Sequence, residues 1–259
     1  MGEIADQSLR DVEYTHRWYR VFLERLQSDG YRFRSFDDRL TDGDLVARHD
    51  VDLSVGAAVE MAHIEADLGV QSTYFLLVSS PLYNVFERET REQIAELEAL
   101  GHDVGVHFST HTYWPADEQP SDSDLLRAVR REQAALAAVA NAPIETISFH
   151  IPPAWVLDRE FPGLQHTYEP QFFSEIDYVA DSSQRWRDQH PLADELGAHV
   201  QLLTHPGLWG ETDAPFAARI EQAIAAACRD IGDLTRREFC VEGPVAVATT
   251  AEVSEESDV

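Results

Sequence analysis

Residues 101–111 read GHDVGVHFSTH and combine a strand-like pattern with two histidines, His107 and His111, four positions apart. Apolar residues alternate with other residues from position 104 to position 108, which is typical of a β-strand. Neutral imidazole is the commonest protein ligand for transition metals. We interpret the stretch as a strand that presents two candidate metal ligands at its end. Surface or packing positions explain an isolated pair of histidines equally well.

A second apolar run, residues 45–52, ends in two carboxylates, Asp50 and Asp52. On a strand, residues two apart point to the same side, and two close carboxylates repel each other unless a cation or a proton neutralises one. One of them could bind a metal while the other stays free as a base. Strand ends are also where α/β folds place their chemistry. The alternative is a solvated turn that opens a helix near Ser54.

Four motifs, in this order, resemble those of metal-dependent polysaccharide deacetylases, in the branch whose first motif is Asp-x-Asp. They are HDVD at 49–52, HFSTH at 107–111, SFHIPP at 148–153 and LLTHP at 202–206. The resemblance covers roughly residues 45 to 210. It implies an irregular (β/α) barrel of about seven parallel strands instead of the regular eight.

Strand-like and helix-like segments alternate along the chain, which predicts an α/β fold with a parallel sheet and outer helices. We predict one barrel domain over residues 1–243, with an N-terminal helix at 8–29, the motif core at 45–210 and a C-terminal helix at 215–239. We predict that residues 244–259 form an acidic tail whose end is disordered. The last helix is predicted to turn an apolar stripe inward: Phe216, Ile220, Ile224, Ala227, Ile231 and Leu234.

The resemblance implies a metal site and an acid–base pair. Asp52, His107 and His111 are expected to hold one divalent ion, with zinc as the first expectation and other divalent ions as alternatives. Two imidazoles and one carboxylate leave a position for water, as a catalytic zinc site requires. Asp50 is the expected general base. His205, at the end of an apolar run, is the expected general acid, because histidine titrates near working pH.

Two further catalytic residues come from the same resemblance. Asp181 is expected to orient His205, although it could instead cap the following turn. His150 is a departure, since many family members have there an arginine that holds the base. Without that arginine, another residue must orient Asp50. Three arginines could supply the positive charge: Arg48, Arg185 and Arg187.

Three tryptophans follow motif segments: Trp155, Trp186 and Trp209. Flat rings suit stacking on a sugar face, so we predict that they bind substrate, with core packing as the alternative.

The leading hypothesis is a metal-dependent hydrolase that removes an acetyl group from an N-acetyl sugar or a glycan precursor. One alternative is an amidase acting on a C–N bond of a non-sugar metabolite. Another is a carbohydrate-binding protein that kept the fold but lost turnover. The histidine at position 150 favours this last alternative, whereas the retained Asp50 and His205 speak against it.

Composition limits the partners and the location. The 259 residues carry a net charge of −27, from 47 acidic residues against 20 basic ones that are all arginine. Such a surface argues against nucleic-acid binding and indicates a salty cytoplasm. The sequence contains no run of 18 apolar residues and no signal-peptide pattern, which predicts a cytoplasmic protein without membrane insertion. Cys228 and Cys240 are expected to be reduced thiols.

The net charge predicts that salt stabilises the fold. Self-repulsion destabilises a compact state, and the Debye length falls from about 10 Å at 0.1 M salt to about 3 Å at 1 M. Thermal melts in KCl from about 0.1 to 3 M should therefore show a rising melting temperature. Isosmotic sucrose is the control, since it stabilises by exclusion without screening. A flat or falling melting temperature in KCl contradicts the prediction.

Overall fold

The computed structural model describes residues 9–239, and at its centre lies one sheet of eight strands. In chain order the strands are β1 (Arg32–Arg34), β2 (Asp44–Val51), β3 (Thr73–Leu76), β4 (Asp103–Ser109), β5 (Thr146–His150), β6 (Gln165–His166), β7 (Asp177–Ala180) and β8 (His199–Thr204). Seven follow the path β6-β5-β4-β3-β2-β8-β7, while β1 pairs with β2. Every pairing is parallel. This confirms the predicted α/β fold with an irregular barrel of about seven parallel strands.

Helices follow the strands as the alternating pattern predicts. They are α1 (His16–Ser28), α2 (Val55–Leu68), α3 (Arg88–Ala99), α4 (Asp122–Ala137), α5 (Pro170–Phe173) and α6 (Phe216–Phe239). The first helix begins at residue 16 instead of the predicted 8, because Thr15 is extended and its side chain accepts a hydrogen bond from the Trp18 amide. The predicted tail, residues 244–259, lies outside the described residues.

The start of α2 fixes the loop that carries Asp52. Ser54 is extended and its hydroxyl accepts a hydrogen bond from the Ala57 amide, so it caps the helix two residues after Asp52. The helix ends at Gly69, whose φ of 67° lies in the left-handed region that glycine adopts without strain. Asp52 therefore lies in a short loop between the end of β2 at Val51 and the cap of α2 at Ser54.

Gly105, on β4, leaves space for a side chain that packs inside the sheet. A Cβ atom on Gly105 would lie 2.5 Å from ring atoms of Phe75 and 2.7 Å from the Thr146 carbonyl oxygen. Phe75 packs in a small apolar cluster inside the sheet with Val46, Phe36 and Phe172. A side chain at position 105 would displace that cluster, so β4 requires glycine there.

The apolar stripe of α6 is not inward as predicted. Within the described part of the chain, Ala227 is the one residue of α6 that is buried, whereas Ile224 and Ile231 are 42% and 56% exposed. The helix lies against the turn after β8 and covers little of the sheet. The apolar residues of α6 do recur at helical spacing, but most of that apolar face is not covered by the rest of the described protein.

Two sequence-based expectations concern the membrane and the cysteines. No helix within residues 9–239 is long and apolar enough to cross a bilayer. Cys228 is exposed with a free thiol, and Cys240 lies outside the described residues.

Candidate active site

The parallel register brings the four motifs to one edge of the sheet. β2 pairs with β8 so that His49 lies beside Thr204, and β4 pairs with β5 so that His107 lies beside Ser148. The carboxyl ends of these strands therefore converge, as expected for parallel strands in a barrel. The four motifs stand at or just past these ends, and Asp181 follows the end of β7.

Three side chains meet at this edge: Asp52, His107 and His150. Asp52 Oδ1 lies 3.2 Å from His107 Nε2 and 3.1 Å from His150 Nδ1, and the two ring nitrogens are 3.1 Å apart. Within residues 9–239 this is the one group of three or more such side chains whose potential ligand atoms converge for a metal.

The tautomer of His107 suits metal binding. Its Nδ1 lies 2.9 Å from Ser148 Oγ, and the Ser148 hydroxyl in turn donates to Asp50 Oδ1 at 2.9 Å. Because Ser148 donates its only hydroxyl proton to Asp50, its Oγ must accept a hydrogen bond from His107 Nδ1–H. The lone pair of His107 then lies on Nε2, which faces Asp52.

The atoms of this group fit a divalent ion. Asp52 Oδ1 is buried and has no hydrogen-bond partner among the described residues. Ligand atoms around a tetrahedral zinc lie roughly 3.3 Å apart, close to the separations of 3.1 to 3.2 Å found here.

His111 lies outside this group. Its side chain is exposed, and its Nε2 lies 3.2 Å from the Ile151 carbonyl oxygen, to which it donates. His111 lies in the turn Thr110–Thr112 that follows β4, and it is not among the side chains whose ligand atoms converge with those of Asp52. The structure thus brings together two of the three predicted ligands, Asp52 and His107, and adds His150.

The residue after His150 has a strained backbone. Ile151 has a φ of 45°, although it is β-branched and precedes a proline, and both features disfavour that region. Such a conformation costs on the order of 1–3 kcal/mol and clusters at functional sites. The Ile151 side chain is 66% exposed, so no packing of that side chain explains the strain.

Arg48 holds the carboxylate of Asp50. Its Nε donates to Asp50 Oδ1 at 2.9 Å and its Nη2 to Oδ2 at 2.7 Å, and both side chains are buried. Burial would raise the pKa of Asp50, but the guanidinium of Arg48 holds it below its ordinary value. Of the three arginines considered for the missing charge, Arg48 makes this contact. Arg187 pairs with Asp213 instead.

His205 and Asp181 form a second pair, near the other carboxylate oxygen of Asp52. His205 Nδ1 lies 2.5 Å from Asp181 Oδ1, and Nε2 points towards Asp52 Oδ2 at 4.0 Å. Asp181 also accepts from the His205 amide and from Trp209 Nε1, at 3.1 and 2.8 Å. Burial lowers the pKa of His205, but Asp181 outweighs it and raises the pKa to about 9.

Two of the predicted sugar-stacking tryptophans are core residues. Trp186 and Trp209 are each 2% exposed and pack in an apolar cluster with Trp18 and Phe22. This corrects the sequence-based prediction, because a buried ring has no open face for a sugar. Trp209 serves the site differently, through its hydrogen bond to Asp181. Trp155 is only partly buried.

Sequence reasoning gave Ser148 no role and left Arg48 among three candidates. The spacing along the strands nevertheless indicated both residues. Arg48 lies two positions before Asp50 on a predicted strand, and Ser148 two positions before His150, so each shares a face with a candidate site residue. What the sequence lacked was the register that sets Ser148 beside His107.

Solved structures that match the chain include three described below, at 13–15% identity and with TM-scores below 0.5. No protein-family model and no curated protein matches the sequence. The polysaccharide deacetylase of Bacillus cereus matches at 15% identity over 73% of this chain and 88% of that one, with a TM-score of 0.42. Peptidoglycan deacetylase PdaC of Bacillus subtilis matches at 13% identity over 75% and 96%, with a TM-score of 0.44.

A CE4 family pseudoenzyme of Bacillus anthracis matches at 14% identity over 72% of this chain, with a TM-score of 0.41. This chain spans 60% of the length of that protein. The resemblance to polysaccharide deacetylases rests on the four sequence motifs, with the parallel sheet that places them at one edge.

Proposed function

We propose that the protein is a metal-dependent hydrolase that removes an acetyl group from the nitrogen of an acetamido sugar. The observation that carries the proposal is that two imidazoles lie at one carboxylate oxygen of Asp52 and the paired His205 faces the other. A binding protein has no need of a buried acid–base pair beside a candidate metal group. Amide hydrolysis uses all of these parts.

Asp52 and His107, with a second imidazole, would hold the divalent ion, and this ligand set fits zinc. The bound ion would polarise the amide carbonyl and lower the pKa of a water molecule. The fit rests on the unpartnered Asp52 Oδ1 and on the fixed tautomer of His107.

Asp50 and His205 are proposed as general base and general acid. Asp50 is kept ionised by Arg48, and among the described contacts its Oδ2 accepts from Arg48 Nη2 only, which leaves an acceptor position for the proton of the attacking water. His205 is kept protonated by Asp181, and its Nε2 faces the site, where it can protonate the leaving amine nitrogen. The two roles require opposite charges, and the two environments favour them.

The sugar part of the proposal comes from the motif resemblance and from the open edge of the site. The side chains of Asp52 and His150 are 24% and 25% exposed, so a substrate can approach them from solvent. Of the three candidate tryptophans, Trp155 is the one that is only partly buried. We propose a soluble precursor of a surface glycan as the substrate.

Acetate release at high salt tests the function. We expect release from N-acetyl hexosamines, nucleotide-linked N-acetyl sugars or short chitin fragments, its loss after dialysis against a chelator, and its return with one equivalent of zinc. The chelated protein without added metal is the matched control. Activity confined to non-sugar amides would make the protein an amidase of another class. No release from any substrate, with zinc bound, would favour a carbohydrate-binding protein.

A further inference from the structure

We propose that His150, and not His111, completes the metal site with Asp52 and His107, and that His111 holds the turn that aims His150. The inference rests on the metal dependence of the proposed function. It concerns which side chains of this chain contact the ion.

The position of His150 supports its role as a ligand. It is the last residue of β5, and the register places it beside Ser109, two residues past His107 on β4. Its Nδ1 lies 3.1 Å from both Asp52 Oδ1 and His107 Nε2. Arg48 already provides the positive charge that holds Asp50. The side chain at position 150 is therefore not needed to hold Asp50 and can bind a metal instead.

His111 is engaged elsewhere. Its Nε2–H donates to the Ile151 carbonyl oxygen, and the ring is exposed to solvent. Ile151 directly follows His150 and has a φ of 45°, which a β-branched residue before a proline rarely adopts. His111 therefore stabilises a backbone conformation that would otherwise relax, and relaxation would move the adjoining His150. On this reading His111 is a positioning residue that acts through the backbone of Ile151.

Zinc binding to the apoprotein in high salt tests the assignment without using turnover. Affinity is measured by calorimetry against a competing chelator, and coordination by the visible absorption of the cobalt form. We expect His150→Ala to weaken zinc binding roughly 10²- to 10³-fold, about one ligand's share, and to abolish the tetrahedral cobalt spectrum. His111→Ala should weaken binding about tenfold, as loss of an orienting partner does, with the spectrum retained.

The variant Ile151→Gly separates positioning from ligation. Glycine adopts a positive φ without strain, so adding Ile151→Gly to His111→Ala should restore most of the zinc affinity. Adding it to His150→Ala should restore none. Thermal melts of each apoprotein show whether the variants fold.

Two results would overturn the proposal. One is loss of the cobalt spectrum in His111→Ala with retention in His150→Ala, which would make His111 the ligand. The other is failure of Ile151→Gly to rescue a folded His111→Ala variant. Wild-type protein that binds zinc through His150 yet releases no acetate would leave this assignment standing and overturn the proposed function alone.

Discussion

Replacing Asp50 by asparagine or His205 by alanine is expected to lower turnover by about 10²- to 10⁴-fold, the usual contribution of a general base or acid. Neither residue belongs to the group of Asp52, His107 and His150, so bound zinc should remain near one per chain. Steady-state kinetics on the acetamido sugar that proves active, with metal analysis of each variant, gives both readouts. A variant that keeps near-normal turnover removes that residue from the mechanism.

The matched control is His63→Ala. His63 is an exposed histidine on α2 that pairs with Glu96 on the surface, so its loss should leave turnover and metal content unchanged. Because Asp50→Asn leaves the buried Arg48 without its counter-charge, that variant requires a thermal melt alongside the kinetics.

The pH dependence distinguishes the acid from a merely structural histidine. Asp181 raises the pKa of His205 to about 9, and the acid must be protonated to act. Activity should therefore fall as pH rises through about 9. Asp181→Asn removes the charge that stabilises the imidazolium, so the alkaline limb should move to lower pH. An unchanged limb in that variant would contradict the assignment of His205.

The second large effect concerns stability. Glu65→Ala is expected to lower the free energy of unfolding by roughly 3–5 kcal/mol, because it leaves several buried donors without an acceptor, at about 1–3 kcal/mol for each unsatisfied group. Glu65 is fully buried on α2 and pairs with His49 at 2.7 Å. Its carboxylate also accepts hydrogen bonds from three hydroxyls, those of Tyr19, Ser72 and Tyr74. Without this carboxylate, four buried groups lose an acceptor: Tyr19 on α1, His49 on β2, Ser72 just before β3 and Tyr74 on β3.

Urea unfolding at one fixed high salt concentration measures the effect. The control is Glu92→Ala, which removes a carboxylate from an exposed pair with Arg88 and should change stability by less than about 1 kcal/mol. An equal, small effect of the two substitutions would show that the buried network contributes little.

The contribution of Glu65 also has a predicted pH window. Burial raises its pKa, but His49 outweighs burial and lowers the pKa to about 2, below the unfolded value of about 4.3. A depressed carboxyl pKa stabilises the fold above the unfolded value and loses that effect as pH falls towards the folded one. The difference between wild type and Glu65→Ala should therefore shrink as pH falls from about 4.3 to about 2.

The sequence by itself determined the parts that depend on local periodicity. The apolar run that opens residues 45–52 and the alternation at 104–108 place Asp50 and His107 on strands. The alternation of strand-like and helix-like segments predicts a parallel sheet whose carboxyl ends share an edge. The family resemblance implied the pairing of Asp181 with His205, and the structure places them together at the ends of the paired strands β7 and β8.

Only the tertiary structure decided which side chains converge. His111 has the expected spacing from His107, but the turn after β4 carries it out to solvent, while the register of β5 brings His150 in. Arg48 shares a strand face with Asp50, but only the folded structure shows that it makes the contact while Arg187 pairs with Asp213. Spacing along one strand fixes which face a side chain takes. Contacts across strands depend on register and turns, which distant residues determine.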